Sequence, residues 1–236
     1  MLALVISLPI STAALVVAGI NTRRVTAGPG LPWVLEADWQ QAVPEDDNRQ
    51  PHDPLSSCFW PAAAPLAELI AELAIQADFF EIGCGTGLLS LTAAMHGHSV
   101  LATDVSQTAL EFTAAAAKAQ SLSGVRTQIF DAMKLAEPLP RAECLLLSDI
   151  LVTDQLATAL AARVAEACAA GSGYRQIFVV DPGRSTRRTF LDALSECGVA
   201  IGDGFLSADD CRERAKRGER LVLLHSQVGA PVSYDI

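Results

Sequence analysis

The sequence predicts an α/β protein: a doubly wound, mostly parallel sheet with helices on both faces. Three observations lead there. Short, almost continuously apolar runs alternate with helical stretches, the pattern of strands buried on both sides. A glycine-rich bend, Gly83-Cys84-Gly85-Thr86-Gly87, stands between one such run and a helix. Two later runs end on Asp104 and Asp131, where a doubly wound sheet places its ligand crevice.

The chain has 236 residues, enough for one large domain and its core. Half of them are apolar and 19% charged, which excludes a disordered chain or a disulfide mini-scaffold. Lys and Arg number 17 against 27 Asp and Glu, for a net charge of -10, a field that repels phosphate backbones. Nucleic acid is therefore not an expected partner. Six scattered cysteines without a C-x-x-C pair read as free thiols of a reducing compartment, and four scattered histidines offer no ligand spacing. No metal is expected, and the chain is taken as a monomer.

Residues 1–24 open with twenty uncharged, mostly apolar positions before Arg23 and Arg24. That length matches a bilayer core, and the arginines would keep the domain C-terminal to them on the cytoplasmic side. Three readings stay open: a membrane anchor, a cleaved signal, or an apolar segment packed on the domain. Pro9 and three hydroxyl residues speak against the anchor, and the lack of a preceding basic residue against the signal. Residues 25–57, with Pro29, Pro32, Pro44, Pro51 and Pro54 and the run Glu45-Asp46-Asp47, read as a linker or lid. The domain is then 58–236.

Within it, Pro61 suits a first helical turn, and Leu66, Leu69, Ile70 and Leu73 recur at helical spacing to about Ala77. Strand 79–82 leads into the bend, followed by a helix over 88–96 and a strand over 99–103. Ser106 starts a helix to about 120. Strands are expected at 126–130, 144–147 and 176–180, with an Ala-rich helix over 154–170 before the last of these. The tail supplies a helix over 186–197, a weaker strand near 199–205, a charged helix near 208–216 and a strand over 221–225.

Glycines in the bend let the backbone turn sharply and approach a ligand. The third glycine comes one residue too early for a dinucleotide pyrophosphate, and Glu81 puts a carboxylate beside the bend, which suits a ligand carrying an amino group. Asp104 stands about 20 residues on, where an acid reaches paired ribose hydroxyls. Asp131 is placed to accept from the exocyclic amine of a purine. Each also reads as a solvated strand-end acid.

With these motifs the sequence resembles the class I, seven-stranded S-adenosylmethionine-dependent methyltransferases, over about Phe59 to Ser226. Phe59-Trp60-Pro61-Ala62, Glu81 to Leu91, Ala102-Thr103-Asp104 and Leu147-Ser148-Asp149 look like the lysine-methyltransferase-like branch. Asp181-Pro182-Gly183-Arg184 looks like the sub-branch that methylates the electron-transfer flavoprotein beta subunit. The resemblance implies a Rossmann-like fold and S-adenosyl-L-methionine as cofactor. It places Gly83, Gly85 and Gly87 around the methionine part, with Glu81 near its amino group. Asp104 falls on the ribose, Asp131 with Ala132 on the adenine, Trp60 over the cofactor and Ser148 beside the sulfonium. Trp60 reads equally as a core anchor.

The implied reaction is methyl transfer to a protein lysine, with Asp149 orienting the amine. Asp149 also reads as an N-terminal acid of the next helix. Val152 stands where the branch usually has an aromatic, which opens two alternatives: a small-molecule acceptor, or a catalytically silent binding module. Arg184, Arg187 and Arg188 are expected to dock an acidic protein surface. Arg212 to Arg220 read as a solvated helix face.

Overall fold

A computed structural model describes residues 15–38, 54–73 and 77–226. Strands β4 (Asp78–Ile82), β5 (Ser99–Asp104), β6 (Val125–Ile129), β7 (Cys144–Ser148), β8 (Gln176–Asp181) and β9 (Leu221–His225) form one sheet in the order β6-β5-β4-β7-β8-β9. Every pairing in it is parallel. The winding runs outward from β4 to β6, then restarts on the other side of β4 with β7. The crevice therefore opens where β4 and β7 end, the switch point of such sheets.

Alternate side chains along the strands feed two cores. Phe79, Val100, Leu146 and Phe178 face one side, where α1 (Ala64–Glu72), α2 (Leu88–Met95), α3 (Gln107–Ala119) and α6 (Ala208–Lys216) pack. Phe80, Leu145, Leu147 and Ile177 face the other, against α4 (Asp154–Cys168) and α5 (Arg187–Glu196). Ser106 and Thr153 cap α3 and α4 by accepting from the N–H groups of Ala109 and Leu156. The doubly wound architecture is as expected. Among the described residues this sheet has six strands, not seven: in place of a strand over 199–205 there is a single parallel bridge from Leu206 to Leu224. Gly202 and Gly204, both at positive φ, turn this stretch instead of extending it.

The N-terminal region differs from expectation. Residues 1–14 lie outside the described residues. From Leu15 onward the chain is a meander, β1 (Leu15–Val17), β2 (Ile20–Thr26) and β3 (Trp33–Ala37), antiparallel throughout. Ala18 and Gly19, both at positive φ, make the two-residue turn that pairs Val17 with Ile20. The last six of the twenty apolar positions thus belong to a hairpin, not to a spanning helix. Among the described residues no helix is long and apolar enough to cross a membrane.

Nor is all of 25–57 a linker. Val34 and Leu35 are buried and join the first core. Gln120 at the end of α3 binds β3 as a neighbouring strand would, accepting from Trp33 N–H and donating to its carbonyl. Pro29, Gly30 and Pro32 punctuate the turn between β2 and β3. Residues 39–53 lie outside the described residues. Glu36 ties the meander to the main domain: Arg23 donates to Oε1 at 2.6 Å, and the N–H of Phe59 to Oε2 at 2.9 Å.

Candidate cofactor and acceptor site

A cavity of about 250 Å3 opens at the C-terminal ends of β4, β5 and β7. It brings together Trp60, Gly83, Gly85, Asp104, Asp131, Ala132, Ser148 and Asp149, eight of the ten positions named from the sequence. Gly83 sits at φ +70, and a Cβ there would fall 2.2 Å from Ile150 Cδ1. Gly85, at φ +51, faces open space, so its missing side chain leaves room for a ligand. Its N–H donates to Asp104 Oδ2 at 3.0 Å, while the Ser106 N–H donates to Oδ1 at 2.9 Å. Asp104 thus links the bend after β4 to the start of the segment after β5. Asp131 Oδ1 accepts from Met133 N–H, shaping the turn that carries Ala132 and Met133 along the cavity.

Two of the ten positions lie elsewhere. Gly87, at φ +84, is packed against Thr113 and starts α2. Glu81 is buried and does not line the cavity. Its Oε2 accepts from the backbone N–H and hydroxyl of Ser90, so it braces the first turn of α2 from beneath. Burial pushes its carboxyl up to about 8, and at neutral pH it carries little charge. Glu81 thus puts no carboxylate into the cavity; Ile82, the next residue along β4, lines it instead.

Electrostatics come instead from Asp104, Asp131 and Asp149. Among the described residues no lysine or arginine lines the cavity, and its three carboxylates suit a ligand rich in donors. Asp149, at φ +51, has its side chain almost wholly buried. Burial raises its pKa, against the pull of Arg184 and with a further upward push from Asp181. Arg184 donates to Asp149 Oδ1 through Nε at 2.8 Å and Nη2 at 2.5 Å.

The arginine cluster expected to reach outward thus turns partly inward. Arg187 pairs with the buried Asp181, and of the three only Arg188, paired with Asp192, is largely exposed. Sequence reasoning also missed the apolar lining of Leu55, Val105, Met133 and Leu156. Val105, an apolar residue directly after the strand-end acid Asp104, was the available signal.

Residues 79–172 match the family model described as a methyltransferase domain. Over these residues the chain is similar to methyltransferase domains. No curated protein sequence matches it. Among solved structures it is similar to a TehB-like SAM-dependent methyltransferase from Corynebacterium glutamicum, at 18% identity over 70% of this chain and 82% of that one, TM-score 0.45. It is also similar to a protein solved in work on converting a disulfide bond into a thioacetal group during echinomycin biosynthesis, at 28% identity over 48% and 46%, TM-score 0.38. A third is coclaurine N-methyltransferase bound to N-methylheliamine and SAH, at 20% identity over 37% and 27%, TM-score 0.31. The chain spans about half the length of the first two solved structures it matches, 46% and 44%.

The cavity fits S-adenosylmethionine on its own geometry. Gly85 leaves an open cradle beside Asp104. The Ser148 hydroxyl, buried beside the cavity, has no partner among the described residues and so is free to meet a ligand atom.

Proposed function

We propose that the domain methylates a nitrogen and that this nitrogen is the side-chain amine of a protein lysine. The observation that carries the reading is Asp149: a carboxylate lining the same cavity as the glycine bend, with both Arg184 hydrogen bonds on Oδ1 and neither on Oδ2. The Asp181-Pro182-Gly183-Arg184 turn, which resembles that of the lysine-methylating sub-branch, supports the same acceptor.

When bound, S-adenosylmethionine supplies a methyl group on a sulfonium, a leaving group that needs no protonation. Gly83, Gly85 and Ser148 would hold its amino-acid part and Asp104 its ribose. Asp131 and the Ala132 backbone would hold the adenine. Trp60 and Leu55 exclude water from the mouth. Asp149 accepts a hydrogen bond from the acceptor N–H and so aims the lone pair, alignment being the main contribution to such a displacement. The amine must be neutral to react, and an apolar wall of Ile150, Val152 and Leu156 disfavours its ammonium form.

That same aliphatic wall favours a small-molecule amine as the second reading. Radiolabelled methyl transfer into a lysate, followed by gel separation, decides between them. Label on a protein band, lost with Asp149→Ala, supports the lysine reading. Label running only with metabolites rejects it.

A further inference from the structure

We propose that Arg184 is a positioning residue of this site: it clamps Asp149 by one oxygen and holds Trp60 as the cavity wall, so that the acceptor meets an ion pair and not a bare carboxylate. The consequence for methyl transfer rests on the lysine-methylation proposal, while the clamp itself stands on geometry.

Arg184 is fixed at both ends. Its backbone N–H and that of Gly183 donate to Asp181 Oδ1 at 3.0 and 2.7 Å. Asp181 is wholly buried and paired with Arg187, whose Nη1 lies 3.0 Å from His225 Nδ1. The turn after β8 is thereby held at the C-terminal ends of β8 and β9. From it the Arg184 guanidinium reaches Asp149 at the end of β7 and lies over the Trp60 ring, 5.5 Å from its centroid. One side chain thus joins the carboxylate that faces the acceptor to the aromatic wall.

The charges that face Asp149 are Arg184, in contact, and Asp181, which opposes ionisation; Arg187 and His225 lie behind Asp181. A bare buried carboxylate would trap an entering ammonium as an ion pair and keep its proton on. Paired through Oδ1, Asp149 is neutralised as a charge but still accepts through Oδ2. Without Arg184, Asp149 holds its own proton to higher pH, and any carboxylate that forms stabilises the ammonium. Both effects move the acid limb of the pH profile the same way, toward alkaline pH.

The test compares the full-length wild type with Arg184→Gln and Arg184→Lys. The Asp149 carboxyl is followed by 13C NMR, its signal assigned by loss in Asp149→Asn, alongside the pH profile of label incorporation. Arg184→Gln is expected to raise the Asp149 midpoint and the acid limb by about one pH unit or more, a rate loss of about tenfold at neutral pH that recovers at alkaline pH. Arg184→Lys keeps the charge but not the two-pronged grip, so its midpoint should stay near that of the wild type while kcat falls severalfold. Unchanged midpoint and profile in a folded Arg184→Gln overturn the proposal. If Arg184→Gln does not fold, an Arg184→Lys protein with wild-type kcat overturns it. A wild type that labels no acceptor removes the proposed methyl transfer, and the Asp149 titration then decides the clamp alone.

Discussion

The backbone N–H of Gly85 donates to Asp104 Oδ2 at 3.0 Å, making the bend after β4 and the end of β5 one rigid unit. Asp104 therefore shapes the bend, and under the proposed function it also meets the ribose. Asp104→Ala is expected to weaken S-adenosylhomocysteine binding about tenfold to a hundredfold, since bonds to a charged group contribute about 1.5–3 kcal/mol each. Calorimetry reads the loss. Affinity equal to that of the wild type would take Asp104 out of the site.

The two glycines of the bend should fail differently. Gly83→Ala meets Ile150 Cδ1 at 2.2 Å and forces positive φ on an L-residue, so it should cost about 2–3 kcal/mol of stability. Gly85→Ala has the φ penalty alone, about 1–2 kcal/mol, and places a methyl group in open space beside the cavity. Melting curves should therefore fall more for Gly83→Ala. For Gly85→Ala the larger loss should appear in ligand affinity.

Glu81 predicts a pH dependence of stability. Its folded pKa of about 8 stands above the ordinary 4.5, so the folded state prefers the protonated carboxyl. The stability this confers is fully present below pH 4.5 and is lost progressively as pH rises through about 8. Glu81→Gln keeps an acceptor for Ser90 without the titration. It should melt at least about 2–4 °C above the wild type at pH 9, with the gap closing at pH 5. An equal gap at both values would show that Glu81 does not titrate in this range.

Arg163 is a buried arginine in an otherwise Ala-rich helix, and it braces the Ala132 side of the cavity from behind. Its Nε, Nη1 and Nη2 donate to the carbonyls of Ala132, Glu137 and Lys134 at 3.0, 2.6 and 2.7 Å. It therefore pins the turn that carries Asp131, Ala132 and Met133. Arg163→Met should cost about 2–4 kcal/mol by stranding these carbonyls, and ligand affinity should fall with it. Urea unfolding and calorimetry on the same samples check both. Full affinity in a destabilised variant would separate the turn from binding.

Much of the site could be read directly from the residues because a parallel sheet delivers its strand ends to one edge. With strands ending near Ile82, Asp104, Phe130 and Ser148, the residues after each had to share a crevice. Side-chain direction at a strand end is less visible. Glu81 and Gly83 are two residues apart, yet one supports a helix from beneath and the other lines the cavity.

Taken alone, the sequence determined the doubly wound architecture, the glycine bend and the acids at the strand ends, because local periodicity and backbone freedom are short-range properties. Tertiary structure decided everything that depends on distant partners. Val34 and Leu35 leave a proline-rich stretch to enter the core because α3 offers Gln120 to complete their strand. Arg184 turns inward because a buried Asp149, 35 positions earlier, needs a countercharge. Arg163 is drawn inside by three carbonyls of a turn about thirty residues before it. A charge seeks the partner that lowers its desolvation cost, and no pattern along the chain records which partner folding will bring within reach.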